Sequence, residues 1–84
     1  MANHKSSKKR ARQDAVKRVR NRYYKKSTRS AIQKLREMES QPDAVKFLPK
    51  VVSMIDRLAK RNLWHKNKAS NLKSKLTKFV TAMN

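Results

Sequence analysis

The stretch Ser27–Asn62, STRSAIQKLREMESQPDAVKFLPKVVSMIDRLAKRN, decides the fold. Ala31, Leu35 and Met38 recur at steps of three and four until Ser40-Gln41-Pro42-Asp43 interrupts them. The pattern then resumes with Leu48, Val51, Val52, Ile55, Leu58 and Ala59 on one side of a second segment. Apolar residues at that spacing line one face of an α-helix. Ser40, with Asp43 three residues on, resembles a capping box, and Pro42 is tolerated in a first turn. Pro49 lies inside the second segment and predicts either a kink near Val45 or a helix that begins near Leu48. Asn62 marks the end: in a chain without glycine, it is the residue best suited to the left-handed conformation that stops a helix near Lys60-Arg61.

Working outward, the apolar stripe extends back through Ser27, Tyr23, Val19 and Val16, with Ile32 beside it. It predicts a first helix over about 7–39, opened by Ser6 or Ser7 as N-cap. At ~1.5 Å per residue such a helix extends about 45–50 Å, longer than a small domain needs. Lys8 to Arg12 offer almost nothing apolar, so those turns are expected to project beyond the core and to be helical only with anionic support. Adjacent helical residues point about 100° apart, which assigns Tyr23 to the core and Tyr24 to the rim. Towards the C-terminus, Ala69, Leu72, Leu76, Phe79 or Val80, and Met83 predict a third helix over about 66–83, with Lys66, Lys68, Lys73, Lys75 and Lys78 off its stripe. Trp64 falls in the second connection, where it is expected to plug the end of the bundle. The fold class is all-α: one domain, residues 1–84, in which helices over about 7–39, 43–61 and 66–83 pack as an antiparallel three-helix bundle behind a basic N-terminal extension (1–7).

The charge balance narrows the function. The 84 residues carry 24 Lys+Arg against 5 Asp+Glu, a net charge of +19. Residues 1–30 hold a net +11, residues 31–60 only +2 and residues 61–84 a net +6, so a near-neutral middle lies between two cationic flanks. Such a chain seeks a polyanion. A small domain buries a limited share of its surface, and self-repulsion adds to that cost, so the partner's phosphates are expected to complete the fold. The absence of Cys removes disulfides, thiolate metal sites and cysteine nucleophiles, and the absence of Gly removes phosphate-cradling loops. No apolar run approaches the ~18 residues of a membrane span, and the basic N-terminus has no apolar segment behind it that would make it a secretory signal.

The candidate binding residues are the cations that almost surround the first helix: Lys5, Lys8, Lys9, Arg10, Arg12, Lys17, Arg18, Arg20, Arg22, Lys25, Lys26 and Arg29. One acid, Asp14, stands against these twelve bases, which disfavours a merely solvated face. Binding that neutralises phosphates weakens steeply with salt. Two histidines, His4 and His65, sixty-one positions apart and without nearby carboxylate or thiol partners, predict no metal site. The same scarcity leaves no nucleophile–base–orienter set, so the chain is not expected to be an enzyme or to take a cofactor. The stripes are sized for helix–helix packing rather than membrane insertion. Between nucleic acids, a basic helix without a recognition-helix pattern fits shaped RNA held through its backbone better than duplex DNA read in the major groove. A nucleoid-type DNA-compacting protein remains the alternative, because phosphate attraction does not distinguish the two polymers.

Two segments add a resemblance. ANHKSSKKR (Ala2–Arg10) and RNLWHKNKASNLKSKL (Arg61–Leu76) resemble the bacterial family of small-subunit ribosomal protein twenty, whose members carry an AN-x-KSA-x-KR-like start and a KG-x-x-HKNKA-like segment at these relative places. The likeness covers the whole chain, and the HKNKA element is its most specific part. It implies a three-helix bundle that binds small-subunit (16S) ribosomal RNA directly, touching its 5′ domain and the long penultimate helix near the 3′ end, within the cytoplasmic ribosome. Other small-subunit proteins are possible neighbours; a membrane or a small-molecule substrate is not implied. Carried over by position, Asn3, Lys5, Ser6, Lys8, Lys9 and Arg10 form one RNA-binding element and His65, Lys66, Asn67 and Lys68 a second, with Lys75 further along the third helix. Asn62 stands where the family often has Gly, and Ser7 and Ser70 where Ala is commoner.

Overall fold

The computed structural model describes residues 3–83, with side chains from Ser7 onward. Three helices follow one another: α1 (Asn3–Glu37), α2 (Gln41–Lys60) and α3 (Lys66–Ala82). Among the described residues there is no strand, and no helix is long and apolar enough to cross a membrane. α2 lies between the other two. At one end Lys34 of α1 sits 5.3 Å from the ring centroid of Phe47 on α2; at the other, Arg61 just past α2 sits 4.5 Å from the Tyr24 ring. Those crossings make α1 and α2 antiparallel. Gln41 Nε2 donates to the Val80 carbonyl at 3.2 Å and Lys73 pairs with Asp56 at 2.7 Å, so α2 and α3 are antiparallel too. The all-α antiparallel bundle expected from the pattern is the fold observed.

The core is built where the three helices overlap. Leu35, Ala44, Val51, Ile55, Leu58, Ala69, Leu76 and Val80 are buried, with Ile32 and Trp64 closing the cluster. Trp64 does plug the end of the bundle. α1 far outruns its partners: no residue from Ser7 to Arg20 is even partly buried. The molecule is therefore elongated, 66 × 21 × 14 Å with a radius of gyration of 17.5 Å, against about 12 Å for a compact domain of this length.

The stripe on α1 differs from the one expected. Tyr24, Thr28, Ile32 and Leu35 face α2, whereas Val16, Val19 and Tyr23 are exposed by 56%, 68% and 65%. The core assignment of Tyr23 is thus inverted: Tyr24 packs on the core and Tyr23 faces out. The turning point is Thr28, 2% exposed, whose hydroxyl donates to the Tyr24 carbonyl four residues back at 2.8 Å. A hydroxyl satisfied within its own helix costs little to bury, so a residue that reads as polar joins the apolar face.

The helix ends also correct the expectations. α1 begins at Asn3 and ends at Glu37, so Ser6 and Ser7 lie within the helix instead of capping it. Ser40 is the N-cap of α2 but its side chain makes no capping hydrogen bond. Pro42 occupies the second helical position, where a cap would otherwise find an N–H donor. α2 starts at Gln41, not near Leu48, and runs through Pro49. Pro49 and Val45 lie on the exposed side, where water can take the Val45 carbonyl that proline leaves unbonded. At the other end Asn62 adopts φ 60°. Its N–H bonds the Ala59 carbonyl at 3.0 Å and that of Leu63 the Leu58 carbonyl at 2.9 Å, the paired bonds of a Schellman motif. Asn62 therefore does the work expected of it.

Candidate nucleic-acid interface

The protruding half of α1 is the first part of the site. Lys8, Lys9, Arg10, Arg12, Lys17, Arg18, Arg20 and Arg22 are all exposed and spread around the helix, and Lys25 is half-buried. Asn3, Lys5 and Ser6 belong to the first two turns, and their side chains lie outside the described residues. α1 has no acid in its first turn. Like charges three or four positions apart, Lys8 with Arg12 and Arg18 with Arg22 among them, each cost roughly 0.2–0.5 kcal/mol in helix stability when nothing neutralises them. Among the described residues the one ion pair is Lys73–Asp56, so these cations are available to an external anion.

The second part is the entry to α3. His65 is its N-cap, and its Nδ1 accepts from the Asn67 backbone N–H at 3.1 Å. That bond leaves the ring proton on Nε2, a donor directed away from the helix end. Lys66 and His65 line a groove of about 400 Å³ with Ala59, Asn62 and Trp64. Lys68 is held differently, its ammonium 4.5 Å from the Trp64 ring centroid. Asn67 is committed through its backbone to the cap, while its side chain remains exposed. Lys75 is exposed two turns further on.

The structure joins some of these residues and separates others. Arg29, Arg36 and Lys68 share a groove with Ile32, Trp64 and Leu72, so the middle of α1 and the start of α3 form one cationic surface around the buried indole. Lys8 to Arg12 belong elsewhere: nineteen positions along one helix place Arg10 about 28 Å from Arg29. The site has two poles, not one patch.

Sequence reasoning passed over a third cationic group. Arg57 and Arg61 line a groove of about 230 Å³ between α1 and α2, with Tyr23, Tyr24, Ser27, Thr28, Met54 and Leu58. The hydrogen bond from Arg61 first, and then its charge, hold the Tyr24 hydroxyl below its ordinary pKa of 10.0, with Arg20 and Arg57 adding to the effect and desolvation opposing it. The i, i+4 spacing of Arg57 and Arg61 was the visible signal, hidden by the inverted assignment of the two tyrosines.

Among the described residues no three His, Cys, Asp or Glu side chains come together as a metal-binding group. Comparison with known proteins supplies the family. The family described as Ribosomal protein S20 matches residues 2–81. The small ribosomal subunit protein bS20 of Parabacteroides distasonis is 58% identical over 83 residues, 99% of both chains. That of Christiangramia forsetii is 57% identical over 99% of this chain and all of its own, and that of Azobacteroides pseudotrichonymphae 48% identical over the full length of both. A family match across nearly every residue leads to one conclusion: the chain belongs to the ribosomal protein S20 family, a family of structural ribosomal proteins rather than enzymes.

Proposed function

We propose that the chain binds small-subunit ribosomal RNA directly, as a structural constituent of that subunit, and clamps separated RNA segments by neutralising their phosphates. One observation carries the reading: an α1 half without a single buried side chain between Ser7 and Arg20, and bearing seven bases there, is continuous through one helix with a second cationic pole about 28 Å away. An extended cationic rod of this kind gains nothing from its own fold and matches a polyphosphate surface. Lys and Arg supply the phosphate contacts, while the His65 Nε2–H and the Asn67 side chain are donors suited to phosphate or 2′-hydroxyl oxygens. The 5′ domain and the long penultimate helix near the 3′ end are the expected contact regions, in keeping with the family resemblance.

The test is a footprint of the chain on whole 16S ribosomal RNA, with competition by duplex DNA at matched salt. Protection at two segments distant in the RNA sequence, and preference for the ribosomal RNA, is the expected result. One contiguous footprint would overturn the clamp. Equal affinity for duplex DNA would favour the DNA-compacting alternative.

A further inference from the structure

We propose that the groove between α1 and α2 lined by Tyr23, Tyr24, Met54, Arg57 and Arg61 holds a single unstacked RNA base, which lies against the Tyr23 ring while its phosphate meets Arg57 and Arg61. The inference rests on the RNA-binding reading above and adds an interaction of a different kind, with a base instead of the backbone.

Four observations meet at this place. Tyr23 is 65% exposed, an unusual state for a large aromatic ring that serves no packing purpose in the bundle. It is nonetheless held in place, its centroid 5.8 Å from that of Tyr24 at an interplanar angle of 63°. Tyr24 has its own face occupied by Arg61, 4.5 Å away, and packs on the core, which makes Tyr23 the aromatic surface still open. The groove beside it, about 230 Å³, has Met54 and Leu58 for apolar lining and two guanidinium groups, Arg57 and Arg61, with it. An open ring beside an apolar recess and fixed cations is the combination by which proteins hold unpaired bases: stacking takes the base and the arginines take the charge of its backbone. An amphipathic peptide would want a continuous apolar surface instead, and the positive charge around this groove repels a basic partner. The site also lies between the two poles, on the stretch of α1 where an RNA strand following the helix from Arg10 towards Arg29 would pass.

The experiment uses the full chain with 16S ribosomal RNA. Ultraviolet crosslinking followed by mass spectrometry of the peptides should find a nucleotide on Tyr23. Tyr23→Ala should weaken binding roughly 5- to 150-fold with the salt slope unchanged, since the substitution removes stacking and leaves every charge in place. Tyr23→Phe should bind like the parent. Because Tyr23 is exposed, thermal melting should be the same for all three proteins, which separates binding from folding. If the parent chain binds the RNA but Tyr23→Ala binds equally well and no nucleotide is found on Tyr23, the base site is wrong and the phosphate clamp stands. If the parent chain does not bind the RNA at all, the clamp fails and the base site falls with it.

Discussion

Gln41 Nε2 reaches across the bundle to the carbonyl of Val80, 3.2 Å away, and so ties the first turn of α2 to the last turn of α3. The same carbonyl also accepts from the Met83 N–H at 3.2 Å. Gln41→Ala therefore removes one donor without leaving the acceptor unpartnered, and the expected loss lies at the lower end for a neutral hydrogen bond, about 0.5–1 kcal/mol. In thermal unfolding at high salt this appears as a drop of roughly 2–8 °C in Tm. An unchanged Tm would mean that the tether does not hold in solution.

Core and rim positions on the helices should respond very differently to truncation. Leu35 and Leu76 are fully buried, and Leu35→Ala or Leu76→Ala is expected to cost about 2–5 kcal/mol. Leu72 is only half-buried and should cost less than Leu76. Val16 shares the spacing of the apolar stripe but faces solvent, so Val16→Ala should stay within about 0.5 kcal/mol of the parent. Urea unfolding of the four variants measures the ranking, and a Val16→Ala cost equal to that of Leu76→Ala would refute the packing.

Asn62 offers a backbone test. At φ 60° a side chain with a Cβ strains the backbone unless, as in Asn, it can bond locally. Asn62→Gly should keep the turn and its two hydrogen bonds, whereas Asn62→Val should destabilise the protein by roughly 1–2 kcal/mol. Equal stability of the two variants would show that the left-handed turn is not adopted.

These contrasts indicate what the residues themselves disclosed. The bundle and both breaks were legible because Leu35, Ile55, Leu58, Leu76 and Val80 recur at helical spacing and Pro42 and Asn62 punctuate it. The register on α1 was not, for two physical reasons. Thr28 hides its polarity by bonding within its own helix, so the true stripe looks broken. Val16 and Val19 look like core although α2 and α3, at 20 and 17 residues, are too short to cover a 35-residue helix. The two cationic flanks were legible from charge alone, since phosphate attraction needs number more than geometry, whereas the His65–Lys68 element came from the family resemblance. The Arg57–Arg61–tyrosine groove needed the register, and so had to wait for the structure.

The tyrosine pair carries a spectroscopic prediction. Only two tyrosines are present, so in Tyr23→Phe the one remaining phenol is Tyr24. Its ionisation, followed by ultraviolet absorbance, should occur below the ordinary 10.0 because Arg61 favours the phenolate. Arg61→Ala should move it back up. A lowered pKa in the folded state means that the stabilisation is complete above the unfolded value of 10.0 and is lost as pH falls through the folded one. At neutral pH both states hold the proton and the pair contributes nothing through ionisation. An Arg61→Ala titration identical to that of its parent would place Arg61 away from the ring.

The protruding half of α1 makes the last prediction. Lys8, Lys9 and Arg10 touch nothing in the bundle, so replacing all three by Ala should leave the core's melting intact. It should flatten the dependence of log K on log salt by about one unit for each phosphate no longer neutralised, up to about three. The same three replacements relieve like-charge repulsion along the helix and introduce its best helix former. The free variant should therefore be more helical by circular dichroism even as it binds 16S ribosomal RNA more weakly. In the parent chain, amides from 8 to 20 should exchange quickly in the free protein and slowly in the complex, because only phosphates supply what packing does not. A salt slope that survives the triple replacement would remove this end of α1 from the interface.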